Sequence, residues 1–226
     1  MKITWLGQAG LLFETRDKKI LVDPYLSNSV AKIQPHNVRR VPVDERFLNI
    51  KPDIIVLTHN HADHLDKETL CHYLSEDSNV LVLASYNAWV EVRKFGGLKN
   101  NYVMFNKGTT WTAGDVTFRA VHAEHSDAYA IGVVMTAEGK QYYITGDTLY
   151  SENVFDSLKK ADCQMCFLPV NGVGNNMNAT DANRFAKRVK ARYNVPIHFG
   201  MFDEIDISNV VLKNKLVLSI YQGFET

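Results

Sequence analysis

The stretch Thr58-His59-Asn60-His61-Ala62-Asp63-His64-Leu65-Asp66 gathers four metal-donor side chains, His59, His61, Asp63 and His64, within six residues. It lies where an apolar run, Ile54 to Thr58, ends and a helix beginning near Asp66 is predicted. In an extended segment, residues two apart face one side about 6–7 Å from each other, so His59 and His61 can converge on one ion. His64 breaks that parity. A turn into the helix aims Asp63 and His64 at a different point, which suits a second ion a few ångströms away. A chain of this composition would show H-x-H-x-D-H by chance only about six times in ten thousand, so a fortuitous cluster of surface histidines is the weaker reading.

Two ions need further donors, drawn from the ends of other strands. Asp147 follows Tyr142-Tyr143-Ile144-Thr145-Gly146, whose glycine permits close backbone approach, and His198 closes a short strand after Pro196. The strand ending near His122 offers both His122 and His125 as a third imidazole. Other features are less specific. Residues 171–176, Asn-Gly-Val-Gly-Asn-Asn, read as a turn or as a cleft lining. Arg39 and Arg40, with His36, could clamp an anionic group, although loop arginines are ordinarily just solvated. Cys163 and Cys166, three apart on an apolar strand, face opposite sides and read as buried hydrophobes.

The elements that must position these groups alternate in character. Residues 3–6, 11–15 and 19–22 read as antiparallel strands, and 54–58 and 80–84 as strands each followed by a helix, the second helix running from Ser85 to Phe95. A second antiparallel set follows at 116–122, 131–136 and 141–145. The last third runs from a helix near Ser151 through a strand at 166–170 to a helix capped by Thr180, then to strands at 195–199 and 216–221. Two halves of this kind predict an α/β architecture of two facing sheets with helices outside.

Composition sets the bounds. The chain has 226 residues, 25 Lys+Arg against 25 Asp+Glu, and 46% hydrophobic residues, which describes a globular sequence read as a single domain over 1–226. Zero net charge lowers the expectation of nucleic-acid or anionic-membrane partners. Three cysteines fit a reducing cytoplasm, and neither a signal peptide nor a membrane span is predicted.

The run THNHADHLD, the Gly146-Asp147 pair and the His198 strand end resemble the metallo-β-lactamase superfamily, which implies a four-layer αβ/βα sandwich of two mixed sheets with helices outside. Residues 3–10, 23–27 and 58–70, His125-Ser126 and 168–171 are similar to its L-ascorbate-6-phosphate lactonase-like branch, although lactonases proper are longer chains. The resemblance implies a first ion on His59, His61 and His125, a second on Asp63, His64 and His198, and Asp147 bridging them. Asp23 would then orient a ligand, where the residues alone equally suggest a turn before Pro24.

The activity so implied is hydrolysis by a metal-bridged hydroxide, with Asp63 as the catalytic carboxylate. The substrate would be a small, possibly anionic molecule: an ester, a lactone or a phosphorylated metabolite. Histidine and carboxylate donors without thiolate suit two divalent ions, zinc or manganese. A nuclease of the same superfamily and a metal-retaining sensor are the competing readings, and association into a homo-oligomer stays open.

Overall fold

Polar turns break the first apolar run into a meander of β1 (Lys2–Gly7), β2 (Gly10–Glu14) and β3 (Lys19–Val22). After β3 the chain passes through α1 (Val30–Ile33) and a single-turn helix at Glu45–Phe47, then re-enters the sheet as β4 (Ile54–Leu57), parallel to β3. α2 (Lys67–Tyr73), β5 (Leu81–Ala84), α3 (Tyr86–Val92) and β6 (Asn101–Met104) continue the right half of the sheet in parallel. All four residues of β4 are buried, as an uninterrupted Ile-Ile-Val-Leu run in a parallel strand requires. Alternate residues Ile55, Leu57, Val82 and Ala84 join Leu70 and Tyr73 of α2 and Ala88 and Val92 of α3 in one apolar cluster. Asp66 caps α2, its carboxylate accepting from the amides of Glu68 and Thr69.

The second half repeats the scheme. β7 (Thr110–Ala113), β8 (Val116–His122), β9 (Ile131–Ala137) and β10 (Lys140–Ile144) form an antiparallel ribbon. A two-residue turn with positive φ at both Glu138 and Gly139 joins β9 to β10, the geometry that matches strand twist in a hairpin. After α4 (Glu152–Ser157) come β11 (Cys163–Pro169), α5 (Ala179–Val189) and β12 (Tyr193–Ile197), with β10, β11 and β12 mutually parallel. β13 (Gly223–Glu225) returns to pair with β1.

The computed structural model describes residues 1–158 and 161–226. It forms two compact units: residues 1–104, 200–204 and 218–226 with the sheet β13-β1-β2-β3-β4-β5-β6, and residues 105–199 and 205–217 with the sheet β12-β11-β10-β9-β8-β7. Both sheets are mixed, as the family resemblance implied. Three local expectations are corrected. Residues 216–221 are not a strand. Leu216 makes a backbone bond to the Asn194 carbonyl, and Tyr221, at φ 62°, turns the chain before β13. α5 is capped by Asn178, whose side chain accepts from the Asp181 amide, so the helix starts ahead of Thr180. β6 and β7, short and half-exposed, carry no strong period and were not anticipated. Among the described residues no helix is long and apolar enough to cross a membrane.

Candidate metal centre

In the first unit the donors stand at the carboxyl end of β4, beside that of β3. A turn closed by bonds from the His64 and Leu65 amides to the His61 carbonyl (3.0 and 2.8 Å) folds the loop back. The His59 ring therefore lies 4.6 Å from His61 and 4.0 Å from His64, centroid to centroid. The chain thus leaves extended geometry after His61, as the expected turn toward the helix requires.

Asp23, 1% exposed, organises this loop from the end of β3. One carboxylate oxygen accepts from the Thr58 amide (2.8 Å); the other accepts from the Thr58 hydroxyl (2.5 Å) and from His64 Nδ1 (2.8 Å). The protons are then assigned by bookkeeping around the network. The Thr58 hydroxyl has given its hydrogen to Asp23, so its oxygen accepts from His59 Nδ1 at 3.1 Å. Both His59 and His64 therefore carry the proton on Nδ1 and a lone pair on Nε2. Of the two roles weighed for Asp23, the orienting one is what the geometry displays.

Asp63 is placed by a residue for which the sequence suggested no role. Gln8, buried in the β1–β2 turn, donates through Nε2 to Asp63 Oδ2 at 2.9 Å, while its backbone carbonyl accepts from the Trp5 indole at 2.9 Å. Asp63 Oδ2 lies 3.8 Å from His64 Nε2.

In the second unit the donors stand on the loops after β8, β10 and β12. His125 Nδ1 donates to the Asn175 carbonyl (3.2 Å), which leaves the lone pair on Nε2, 4.0 Å from Asp147 Oδ2. Asp147 is fixed by the Asn176 amide, which donates to the same oxygen at 2.7 Å. His198 Nε2 lies 3.2 Å from that oxygen. His122 instead pairs with Glu124 at 3.3 Å, so His125, not His122, is the imidazole beside Asp147.

His198 has a different proton arrangement. Its Nδ1 is 3.0 Å from the Asn171 side-chain nitrogen, whose amide oxygen accepts from the Val173 amide at 3.3 Å. In that orientation Asn171 donates and the imidazole proton sits on Nε2. Holding an ion through Nε2 requires the Asn171 amide to turn over, so that its oxygen accepts from Nδ1.

These donors fit divalent ions. At His64–Asp63 and at His125–Asp147 a nitrogen lone pair faces a carboxylate oxygen at 3.8 and 4.0 Å, too far for a hydrogen bond. An ion bonded to each at about 2.0–2.2 Å spans such gaps. His59, His64 and His125 each have Nδ1 engaged by a neighbour, the arrangement that presents Nε2 to a metal. Backbone strain collects at the same places. Four of the eight non-glycine residues with positive φ among the described residues are Gln8 (49°), Asp23 (43°), Asn175 (62°) and His198 (59°).

Neither the loop arginines nor the buried cysteines enter the site. Arg39 is committed elsewhere: its guanidinium donates to the Val41 and Tyr25 carbonyls at 2.7 Å, to the Leu6 carbonyl at 3.1 Å and to the Tyr221 hydroxyl. Arg40 pairs with Glu204 at 2.5 Å. Neither is an anion clamp. Cys163 and Cys166 are buried, and burial pushes the Cys163 thiol up to about 11 and Cys166 further still, so both are inert hydrophobes.

Residues 18–199 match the beta-lactamase superfamily domain. The chain is 32% identical over 221 residues to a UPF0173 metal-dependent hydrolase of Ligilactobacillus salivarius, covering 91% of this chain and 88% of the relative. It is 28% identical to a UPF0173 metal-dependent hydrolase of Staphylococcus aureus, covering 91% and 89%. Among solved structures, Igni18, a metallo hydrolase from Ignicoccus hospitalis, shares the fold at TM-score 0.75 and 19% identity, covering 100% of this chain and 98% of that one. An isothiocyanate hydrolase from Delia radicum gut bacteria shares it at TM-score 0.74 and 21% identity, covering 100% and 99%.

Proposed function

Because the chain belongs to the metallo-β-lactamase superfamily and, within it, to the UPF0173 metal-dependent hydrolases, we propose that it binds two divalent ions, zinc or manganese, through His59, His61, Asp63, His64, His125, Asp147 and His198. The reaction is hydrolysis of a small-molecule ester, lactone or phosphorylated metabolite, of the kind handled by the lactonase-like branch. The observation that carries this reading is the proton arrangement: His59, His64 and His125 are each held with Nδ1 donating and Nε2 bearing a lone pair, and two of those lone pairs face carboxylates. A structural histidine has no need of that orientation; a ligand does.

A bound divalent ion lowers the pKa of a water ligand from roughly 16 to about 7 and polarises the attacked oxygen. The protein's own groups do the rest. Asp23 keeps His64 in the ligating tautomer directly and His59 through Thr58. Gln8 holds Asp63 Oδ2, which orients the carboxylate that takes the proton from the attacking water and returns it to the leaving oxygen. Asn176 holds Asp147 in the same manner.

The test is elemental analysis of protein made without added metal and then loaded with Zn²⁺ or Mn²⁺, alongside hydrolysis of a lactone and ester panel. About two ions per chain, turnover that vanishes with chelator, and an Asp63→Ala variant that keeps its circular dichroism but not its turnover are expected. Protein that binds neither ion and gains no activity from either refutes the reading.

A further inference from the structure

The three loops that follow β8, β10 and β11 are sewn into one rim. Thr148, fully buried, is the knot. Its amide donates to the Asn176 side-chain oxygen (3.0 Å), its hydroxyl accepts from the Glu124 amide (2.9 Å), and its carbonyl accepts from the Met177 amide (3.0 Å). The Leu149 amide adds a bond to the Glu124 carbonyl at 2.8 Å. Residues 123–130, 145–151 and 170–178 therefore move together, and they carry His125, Asp147 and the Asn171, Asn175 and Asn176 groups that hold the donors.

Two properties of this rim point to what it admits. The first is apolar exposure: Tyr129, Leu149 and Val173, one from each loop, are 47%, 40% and 65% exposed. Large hydrophobic side chains exposed singly need no explanation, but one on each of three cross-linked loops around the donors gives the rim an apolar character. The second is charge. The three loops contain no lysine or arginine and do contain Glu124, Asp127 and Asp147; residues 58–66 of the first unit contain no basic residue other than histidine. The guanidinium of Arg184 lies 4.3 Å over the Tyr150 ring, but it is paired with Asp181 at 3.0 Å. Arg39 and Arg40 are spent as described. Beyond the ions themselves, a phosphate or a second carboxylate would find no cationic side chain on these loops, whereas sites that select such groups set arginine or lysine against them.

We propose that the rim selects a neutral substrate bearing an apolar arm, an alkyl or aryl ester or lactone, and turns phosphorylated and other anionic metabolites away. This rests on the hydrolase reading above and narrows it. The chemistry balances with water alone: water adds across the acyl C–O bond, the acyl carbon keeps the hydroxyl, and the departing oxygen takes the proton.

The test compares γ-valerolactone, γ-nonalactone and 6-phosphogluconolactone on zinc- or manganese-loaded protein. Each methylene covered by the rim is worth up to roughly fourfold in kcat/KM, so γ-nonalactone should exceed γ-valerolactone by tenfold or more, and the phosphorylated lactone should stay at background. The double variant Leu149→Ser/Val173→Ser should lower the nonalactone-to-valerolactone ratio. Preference for the phosphorylated lactone, or a ratio that the double variant leaves unmoved, overturns the proposal. Should metal-loaded protein turn over no lactone or ester, the hydrolase reading fails on its own, and the rim is judged by binding of the neutral dye Nile red. Binding to the wild type that the double variant weakens supports the apolar surface, and equal or absent binding overturns it.

Discussion

Asp23→Asn separates orientation from shape. The substitution keeps the side-chain volume, and asparagine tolerates the left-handed backbone at φ 43° better than most residues, so backbone strain does not confound the result. It replaces two acceptor oxygens by one oxygen and one NH2, and either placement fails. With the NH2 toward Thr58 Oγ1 and His64 Nδ1, both become acceptors. The Thr58 hydroxyl then turns to donate to His59 Nδ1, and the two imidazoles shift their protons to Nε2, where they block ligation. With the NH2 toward the Thr58 amide, two donors confront each other at a position 1% exposed. A buried hydrogen bond to a charged group contributes about 1.5–3 kcal/mol and an unsatisfied buried donor costs about 1–3 kcal/mol, so a loss of about 2–4 kcal/mol is expected in metal-free protein. For a chain of this size that corresponds to a Tm lower by about 5–15 °C. Zinc affinity, read by competition with a chromophoric chelator, should fall by about 10–100-fold. A variant that lost stability and kept wild-type zinc affinity would show Asp23 to be only a structural anchor and would refute the tautomer argument.

Gln8→Leu removes the donor on Asp63 Oδ2 while filling the same space; kcat should drop by about tenfold or more with KM little changed, whereas a merely structural glutamine would lower Tm and leave kcat alone. Asn171→Asp can only accept from His198 Nδ1, which forces the lone pair onto Nε2, so metal affinity should rise, and a chelator competition showing weaker binding would contradict the proton assignment. Burial pushes the Tyr25 phenol up to about 12 from an ordinary 10.0. The folded state therefore holds that proton more tightly than the unfolded chain, and the resulting stability is complete below pH 10 and is lost as pH rises toward 12. Tyr25→Phe should lessen the fall of Tm across that range without abolishing it, because burial also raises Tyr73 and Tyr143; an unaltered fall would refute the assignment.

How far the site was legible follows from how local each part is. His59, His61, Asp63 and His64 are contiguous, and chemistry packed into six residues shows in the sequence without a fold. Asp147 and His198 were legible as strand ends because β10 and β12 are short apolar runs bounded by turn residues. The supports were not. Gln8 meets Asp63 across fifty-five residues and Asn171 meets His198 across twenty-seven, and no propensity or period encodes such pairs. The change of direction after His61 was legible as a turn toward a helix, but the carbonyl accepting two amides that makes the turn was not. Residues 216–221 misled by composition: Leu, Val and Ile there suit a strand, but the segment bonds singly to Asn194 and to Trp5 and finds no ladder.

The left-handed backbone at Gln8, Asp23 and His198 has an implication for anyone improving this molecule in the laboratory. Each such residue forfeits about 1–2 kcal/mol that a glycine would not, and those side chains serve the donors. A library screened for heat tolerance alone should therefore drift to glycine at Gln8 and His198 but not at Asp23, whose buried hydrogen bonds outweigh the strain, and the hardiest clones would be inert. Screens that read turnover alongside survival would preserve all three.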